Sequence, residues 1–362
     1  MAEFVSLFLV LSLLITSAMM WHRVLRCGRS KLPHILSPRK SNIAALGFVD
    51  VLAAVLIAGA SQGFAVAVIM QLTGIGEFDF FDERHLTLIN LGLGTAQLLA
   101  SGLILLYLFK RYSNAAAAGL SPATLTQDLK LGFYGFILFV PPMLLLQSAL
   151  TTFWEYEHPT MDMISPDSSL LSIVSAWWMA IIVAPVSEEI LFRVVLLGWL
   201  IRCFANPHDF IGGFIGGQRN PPTDDSAGER IASVDYSEGI DSEGVDSADR
   251  YPYHSSSSAS FSNEEIKHDK TWAPVLIVAL LFAVVHIGQG PAPIPIFFLG
   301  LGLCYMYRQT ESVVPCIVTH FLLNTFSMTV FTIEQFYFPN LPEEEILPDP
   351  VSAIELFMGH WF

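Results

Sequence analysis

Two adjacent glutamates, Glu188 and Glu189, stand with Arg193 inside the stretch VAPVSEEILFRVVLLGWL (183–200), which is otherwise almost wholly apolar. A charge at the centre of a bilayer costs about 2.5–3.5 kcal/mol even on insertion-derived scales. Three charged side chains in such a place need partners or a task. Glu189 and Arg193 are four residues apart with the acid first, the favourable order for a pair on one helix face. Glu188 is turned about 100° from Glu189. One carboxylate can therefore be neutralised by Arg193 while its neighbour is left to exchange a proton, as a general base does. Two other apolar segments carry histidines. In LLFAVVHIG, Phe282 precedes His286 by four residues, so the ring can pack beside the imidazole; in VTHFLLNTFS, His320 and Asn324 share a face at the same interval. An imidazole and a carboxamide on one face can donate hydrogen bonds to an oxyanion.

These groups can act together only if separate helices bring them to one depth. The chain has 362 residues, of which 53% are apolar and 14% charged, and its mean hydropathy is +0.53. Soluble domains carry about 25% charged residues. A membrane-spanning helix needs about 20 mainly apolar residues, and segments near 3–21, 45–71, 86–109, 130–152, 170–203, 273–289, 293–309 and 312–333 meet or approach that need. The expected fold is an all-α, polytopic transmembrane bundle of about eight spans. The fifth segment is too long for one perpendicular crossing, so it must tilt, bend near Pro185 or emerge from the membrane. At about 1.5 Å per residue, Glu188 lies some 27 Å from the outer end of its span. On the same rise, His286 and His320 lie about 20 and 12 Å above their inner ends. All can converge in the cytoplasmic half.

Loop charge sets the orientation. HRVLRCGRSKLPHILSPRK is basic without an acid and is expected in the cytoplasm, whereas GEFDFFDERH is mainly acidic and is expected outside. Lys110, Arg111, Lys130 and Arg308 continue the alternation, with both termini outside and a plasma (inner) membrane setting. The N-terminal segment has no basic leader region and reads as a retained span. Residues 206–271 are rich in Ser, Asp, Glu and Gly, a composition of disorder, and form a polar cytoplasmic insertion. Its His208, His254 and His268 are not at ligand spacing. The chain thus divides into N-terminal helices (1–169), a core (170–205 and 272–334), the insertion, and an acidic tail (335–362). The net charge of −15 is concentrated in loops and tail and makes nucleic acid an unsuitable partner. Cys27, Cys203, Cys304 and Cys316 lack CxxC spacing and read as free thiols.

The ordered set EExxxR (Glu188, Glu189, Arg193), FxxxH (Phe282, His286) and HxxxN (His320, Asn324) resembles the CPBP family. These are the CAAX-protease and bacteriocin-processing intramembrane endopeptidases, including the type II CAAX prenyl (Rce1-like) enzymes. The resemblance covers roughly 170–205 and 273–328, and the long insertion between them departs from a compact connection. It implies a helical membrane endopeptidase acting on a peptide or protein substrate, lipidated in some members, among membrane lipids. Glu188 would take a proton from water with help from His286. His320 and Asn324 would stabilise the oxyanion, and Glu189 with Arg193 would hold the constellation. The family is often described as metalloproteases, and Glu188, His286 and His320 are the ligand types of a zinc site. A glutamate mechanism with no obligatory metal fits the same residues and is the expectation here.

The same residues admit other readings. Glu188, Glu189 and the histidines could form the proton relay of a transporter, although no inverted repeat is visible. They could equally be a polar knot in a non-catalytic scaffold, since His and Asn serve as interhelical glue. The chain has no HExxH helix and no intramembrane aspartate pair.

Overall fold

The computed structural model describes residues 2–26, 46–75, 82–112, 119–120, 122–153, 164–205, 214–215 and 271–337. Nearly all of the polar insertion, Cys27, the three insertion histidines and the tail beyond 337 lie outside the described residues. The regular structure described is entirely helical, and the all-α membrane bundle expected from hydropathy is the architecture.

The helices are α1 (Ala2–Arg26), α2 (Phe48–Thr73), α3 (Glu83–Tyr112), α4 (Leu125–Thr151), α5 (the run 170–205), α6 (Ala273–Val284), α7 (Pro293–Thr310) and α8 (Val314–Tyr337). Among the described residues, five apolar stretches are long enough to cross a membrane: Phe48–Thr73, Glu83–Tyr112, Pro122–Thr151, Leu170–Phe204 and Val314–Ile333. Large apolar side chains on α2, among them Leu56, Phe64 and Leu72, point away from the bundle. Such a surface would be a liability in water and is what lipid requires.

At the start of α2, Asp50 is buried. It accepts the Gly47 N–H at 2.8 Å and the hydroxyls of Tyr107 at 2.8 Å and Tyr112 at 2.6 Å. Arg111 Nε lies 2.7 Å from it, so its charge is fully answered by α3.

Close helix approach positions the bundle. A Cβ at Gly132 would stand 2.5 Å from Val318 Cβ, and one at Gly135 would stand 2.6 Å from Thr319 Oγ1. Thr319 donates to the Gly132 carbonyl at 2.8 Å. Only glycine lets α4 and α8 meet this closely, and that contact fixes the rotation of α8. Gly300 of α7 likewise packs on Ala279 and Phe282 of α6.

Two elements differ from simple spans. Over its 35 residues Leu170–Phe204, α5 would reach about 52 Å if straight and regular. It instead contains two π-helical stretches, Trp178–Val183 and Ile190–Leu197, around one α-helical stretch, Ala184–Glu189. The apolar segment 273–289 is helical only to Val284. Its 12 residues give about 18 Å, short of a core of about 30 Å. The following GQGPAPIP ends it, with Gly288 at φ 106° and Gly290 at φ 56°. His286 therefore sits on a turn beyond the helix.

Candidate active site

Interruptions of the α ladder by π turns are frequent at functional sites, and here they bracket the two glutamates. Glu189 and Arg193 are both fully buried. Arg193 Nε lies 2.9 Å from Glu189 Oε2, the pairing that their spacing permits. The other Glu189 oxygen, Oε1, lies 2.9 Å from His320 Nδ1. Glu189 is thus a hub that joins its own helix to α8 from both carboxylate oxygens. The Arg193–Glu189 contact is an ion pair at close range without aligned hydrogen-bond geometry.

What else holds the guanidinium is aromatic. Arg193 Cζ lies 4.2 Å from the Phe282 ring centroid, a cation–π contact whose strength grows with desolvation. The same ring stands edge-on to His286 at 5.2 Å and to His320 at 6.0 Å between centroids, and Phe192 closes another side at 5.2 Å. Phe282, 1% exposed, is the common floor under the cation and both imidazoles.

The histidines are oriented by what they donate to. His286 Nδ1 lies 2.7 Å from the Phe282 carbonyl. A carbonyl can only accept, so Nδ1 carries the hydrogen and Nε2 is left for chemistry. In the same way, His320 spends Nδ1 on a carboxylate and keeps Nε2. Asn324 donates Nδ2–H to the Ala180 carbonyl of α5 at 2.7 Å. One of its two amide hydrogens is therefore committed to backbone, and the other remains.

Glu188 differs from its neighbour. Its Oε2 is buried with no hydrogen-bond partner among the described residues. Beside it, Ser187 donates to the Val183 carbonyl at 2.7 Å and accepts from Gln97 Nε2 of α3 at 2.8 Å. Gln97 and Ser187 are supports that sequence reasoning missed. A glutamine and a serine in apolar helices carry no motif, and only their meeting gives them a role. The structure thus gathers Glu189, Arg193, His286 and His320 around Phe282, with Glu188 next along α5 and Asn324 tied to the preceding turn.

A zinc ligand set of Glu188, His286 and His320 is not assembled: no three His, Cys, Asp or Glu side chains among the described residues are placed to hold a metal ion.

These features define a class: a multi-pass α-helical membrane protein with a buried carboxylate–guanidinium–imidazole cluster contributed by three helical segments. A family model described as Type II CAAX prenyl endopeptidase Rce1-like matches residues 258–326. That segment carries Phe282, His286, His320 and Asn324, so the resemblance drawn from the motifs is met there, while Glu188, Glu189 and Arg193 precede it. The match supports membrane CAAX-type endopeptidase activity in general. No curated protein and no solved structure matches the chain.

Proposed function

We propose that the protein is an integral-membrane endopeptidase that hydrolyses a peptide bond with Glu188 as the general base. The observation that carries this reading is the contrast between two neighbouring carboxylates. Neither glutamate's Oε2 makes a hydrogen bond among the described residues, but that of Glu189 is ion-paired to Arg193 and its Oε1 meets His320, whereas the buried Oε2 of half-buried Glu188 has neither among the described residues. A carboxylate oxygen left free in this way is an acceptor for a water proton.

In this mechanism Glu188 removes a proton from water, assisted by His286 Nε2, and the hydroxide adds to the scissile carbonyl. A doubly protonated His320 keeps Nδ1–H on Glu189 and donates Nε2–H to the oxyanion, with the second Asn324 amide hydrogen beside it. With Glu188 and Glu189 ionised, the Arg193 and His320 cations bring the cluster to neutrality, which lowers the cost of holding it in lipid. Collapse of the intermediate breaks the C–N bond, and the proton held by Glu188 passes to the leaving amine. No metal is obligatory. The substrate is a peptide or protein chain, a prenylated C-terminal peptide in the CAAX reading.

Loop charge supports an orientation with the site in the cytoplasmic half and both termini outside, and the proposed setting is the plasma (inner) membrane. The thiol of Cys27, in the basic first loop, then labels with an impermeant maleimide only after the membrane is opened; labelling on intact cells contradicts that orientation. Cys203, Cys304 and Cys316 are buried and do not obscure the readout.

The function is tested with the purified full chain in nanodiscs and a quenched fluorescent farnesylated peptide ending in a CaaX sequence. Cleavage by the parent protein, lost in Glu188→Gln and His286→Ala, is the expected result. Equal cleavage by the variants removes the assigned site. Proton flux into proteoliposomes without cleavage would favour a carrier instead.

A further inference from the structure

The π-helical turn of α5 leaves one carbonyl without a backbone donor, and its position follows from the sequence. The Ala184 N–H donates to the Met179 carbonyl, five residues back rather than four. In that register the partner of the next carbonyl, Ala180, is residue 185. Residue 185 is proline, which has no N–H. The α-register alternative is closed as well, because the Ala184 N–H is already spent on Met179. In lipid there is no water to take over, so a backbone carbonyl orphaned here must find a protein donor. The donor is Asn324 Nδ2, at 2.7 Å, reaching across from α8.

We propose that Asn324 is a positioning residue, whose amide replaces the missing Pro185 N–H and thereby locks the five-residue register that aims Glu188 and Glu189. Two of the hydrogen bonds between α5 and α8 then bear on the glutamates. Asn324 holds the turn before the glutamates, and His320, one helical turn earlier on α8, holds Glu189 itself at 2.9 Å. If Asn324 let go, the α5 register would be free to rotate Glu188 relative to a fixed Glu189–His320 link. The catalytic consequence rests on the proposed endopeptidase reading; the hydrogen-bond replacement does not.

The test uses the full chain in nanodiscs and a rescue cycle: parent, Asn324→Leu, Pro185→Ala, and Pro185→Ala with Asn324→Leu. Restoring an N–H at 185 supplies the Ala180 carbonyl from its own helix. Asn324→Leu is expected to lower kcat at least tenfold with KM changed less than threefold, and to lower Tm. Adding Pro185→Ala should return Tm toward the parent and raise kcat at least fivefold over Asn324→Leu, while Pro185→Ala alone stays within twofold of the parent. Any deficit left in the double variant reads the share of the second amide hydrogen at the oxyanion. Isotope-edited infrared spectroscopy of a labelled Ala180 carbonyl follows the same cycle without substrate. Its band should shift up in Asn324→Leu and return in the double variant. Asn324→Ala, which removes the donor without adding volume, gives the same shift if Asn324→Leu fails to fold. The proposal is overturned if Pro185→Ala changes the Asn324→Leu protein no more than it changes the parent, or if the band does not move. Absence of cleavage by the parent would remove the endopeptidase reading and leave the infrared and Tm cycle to decide this one.

Discussion

Arg193→Met is the sharpest probe of what holds the site together. Arg193 has no exposed surface and neutralises an equally buried Glu189 across 2.9 Å. Methionine keeps much of the length and removes the charge, so the carboxylate is left buried with only the His320 contact. Removing one partner of a buried pair costs about 3–5 kcal/mol, chiefly through the charge left uncompensated. The stacking on Phe282 at 4.2 Å is lost as well. At about 2.1 cal/mol/K of unfolding entropy per residue, a chain of 362 residues shifts about 1.3 °C per kcal/mol, so thermal unfolding in detergent should fall by roughly 4–7 °C. The double variant Glu189→Gln, Arg193→Met removes both charges, and replacing a whole buried pair by neutral groups is often close to neutral. It should regain most of the lost Tm, while cleavage stays impaired because His320 no longer has an anionic partner. A double variant less stable than Arg193→Met, or an Arg193→Met protein within about 1 °C of the parent (about 1 kcal/mol), would refute the reasoning.

Three further outcomes follow from the same geometry. Glu188→Gln should reduce kcat by about 10²–10⁴ yet leave Tm unchanged or higher, since Glu188 Oε2 has no partner to lose; a large Tm loss in calorimetry would make it a structural residue. Gly132→Ala should destabilise by about 1–3 kcal/mol through overpacking, because its Cβ would stand 2.5 Å from Val318 Cβ and 2.7 Å from Val318 Cγ1, and Val318→Gly in the same chain, which removes both atoms, should recover part of that in denaturant titration. Cleavage should persist after dialysis against a zinc chelator, with no zinc found by elemental analysis of the active sample; loss on chelation and return on adding zinc would instead demand a ligand set that the side chains form only after rearrangement.

The all-α membrane architecture was legible because lipid demands long apolar helices, and such runs survive as composition without any knowledge of neighbours. The local pairs were legible for a related reason. A four-residue interval on one helix fixes a shared face, as for Glu189 with Arg193, whereas His286 meets Phe282 from the turn beyond α6. The contrast between Glu188 and Glu189 also followed from rotation about one helix axis. The end of α6 was harder to place, since the apolar pattern runs on to Ile287 while the glycine and proline geometry stops the helix at Val284.

Partners on different helices were not contained in any spacing. Glu189 meets His320 across 131 positions, and Asn324 meets Ala180 across 144. Those meetings depend on the depth and rotation of α5 and α8. The close approach at Gly132 and Gly135 and the π turns around Pro185 set both quantities. Sequence alone determined which residues could do chemistry and which face each occupied. Tertiary structure decided which carboxylate was tied down, which ring lay beneath the cation, and which carbonyl needed an amide from another helix. The reason is that intrahelical neighbours are fixed by covalent geometry, whereas interhelical ones are fixed by packing.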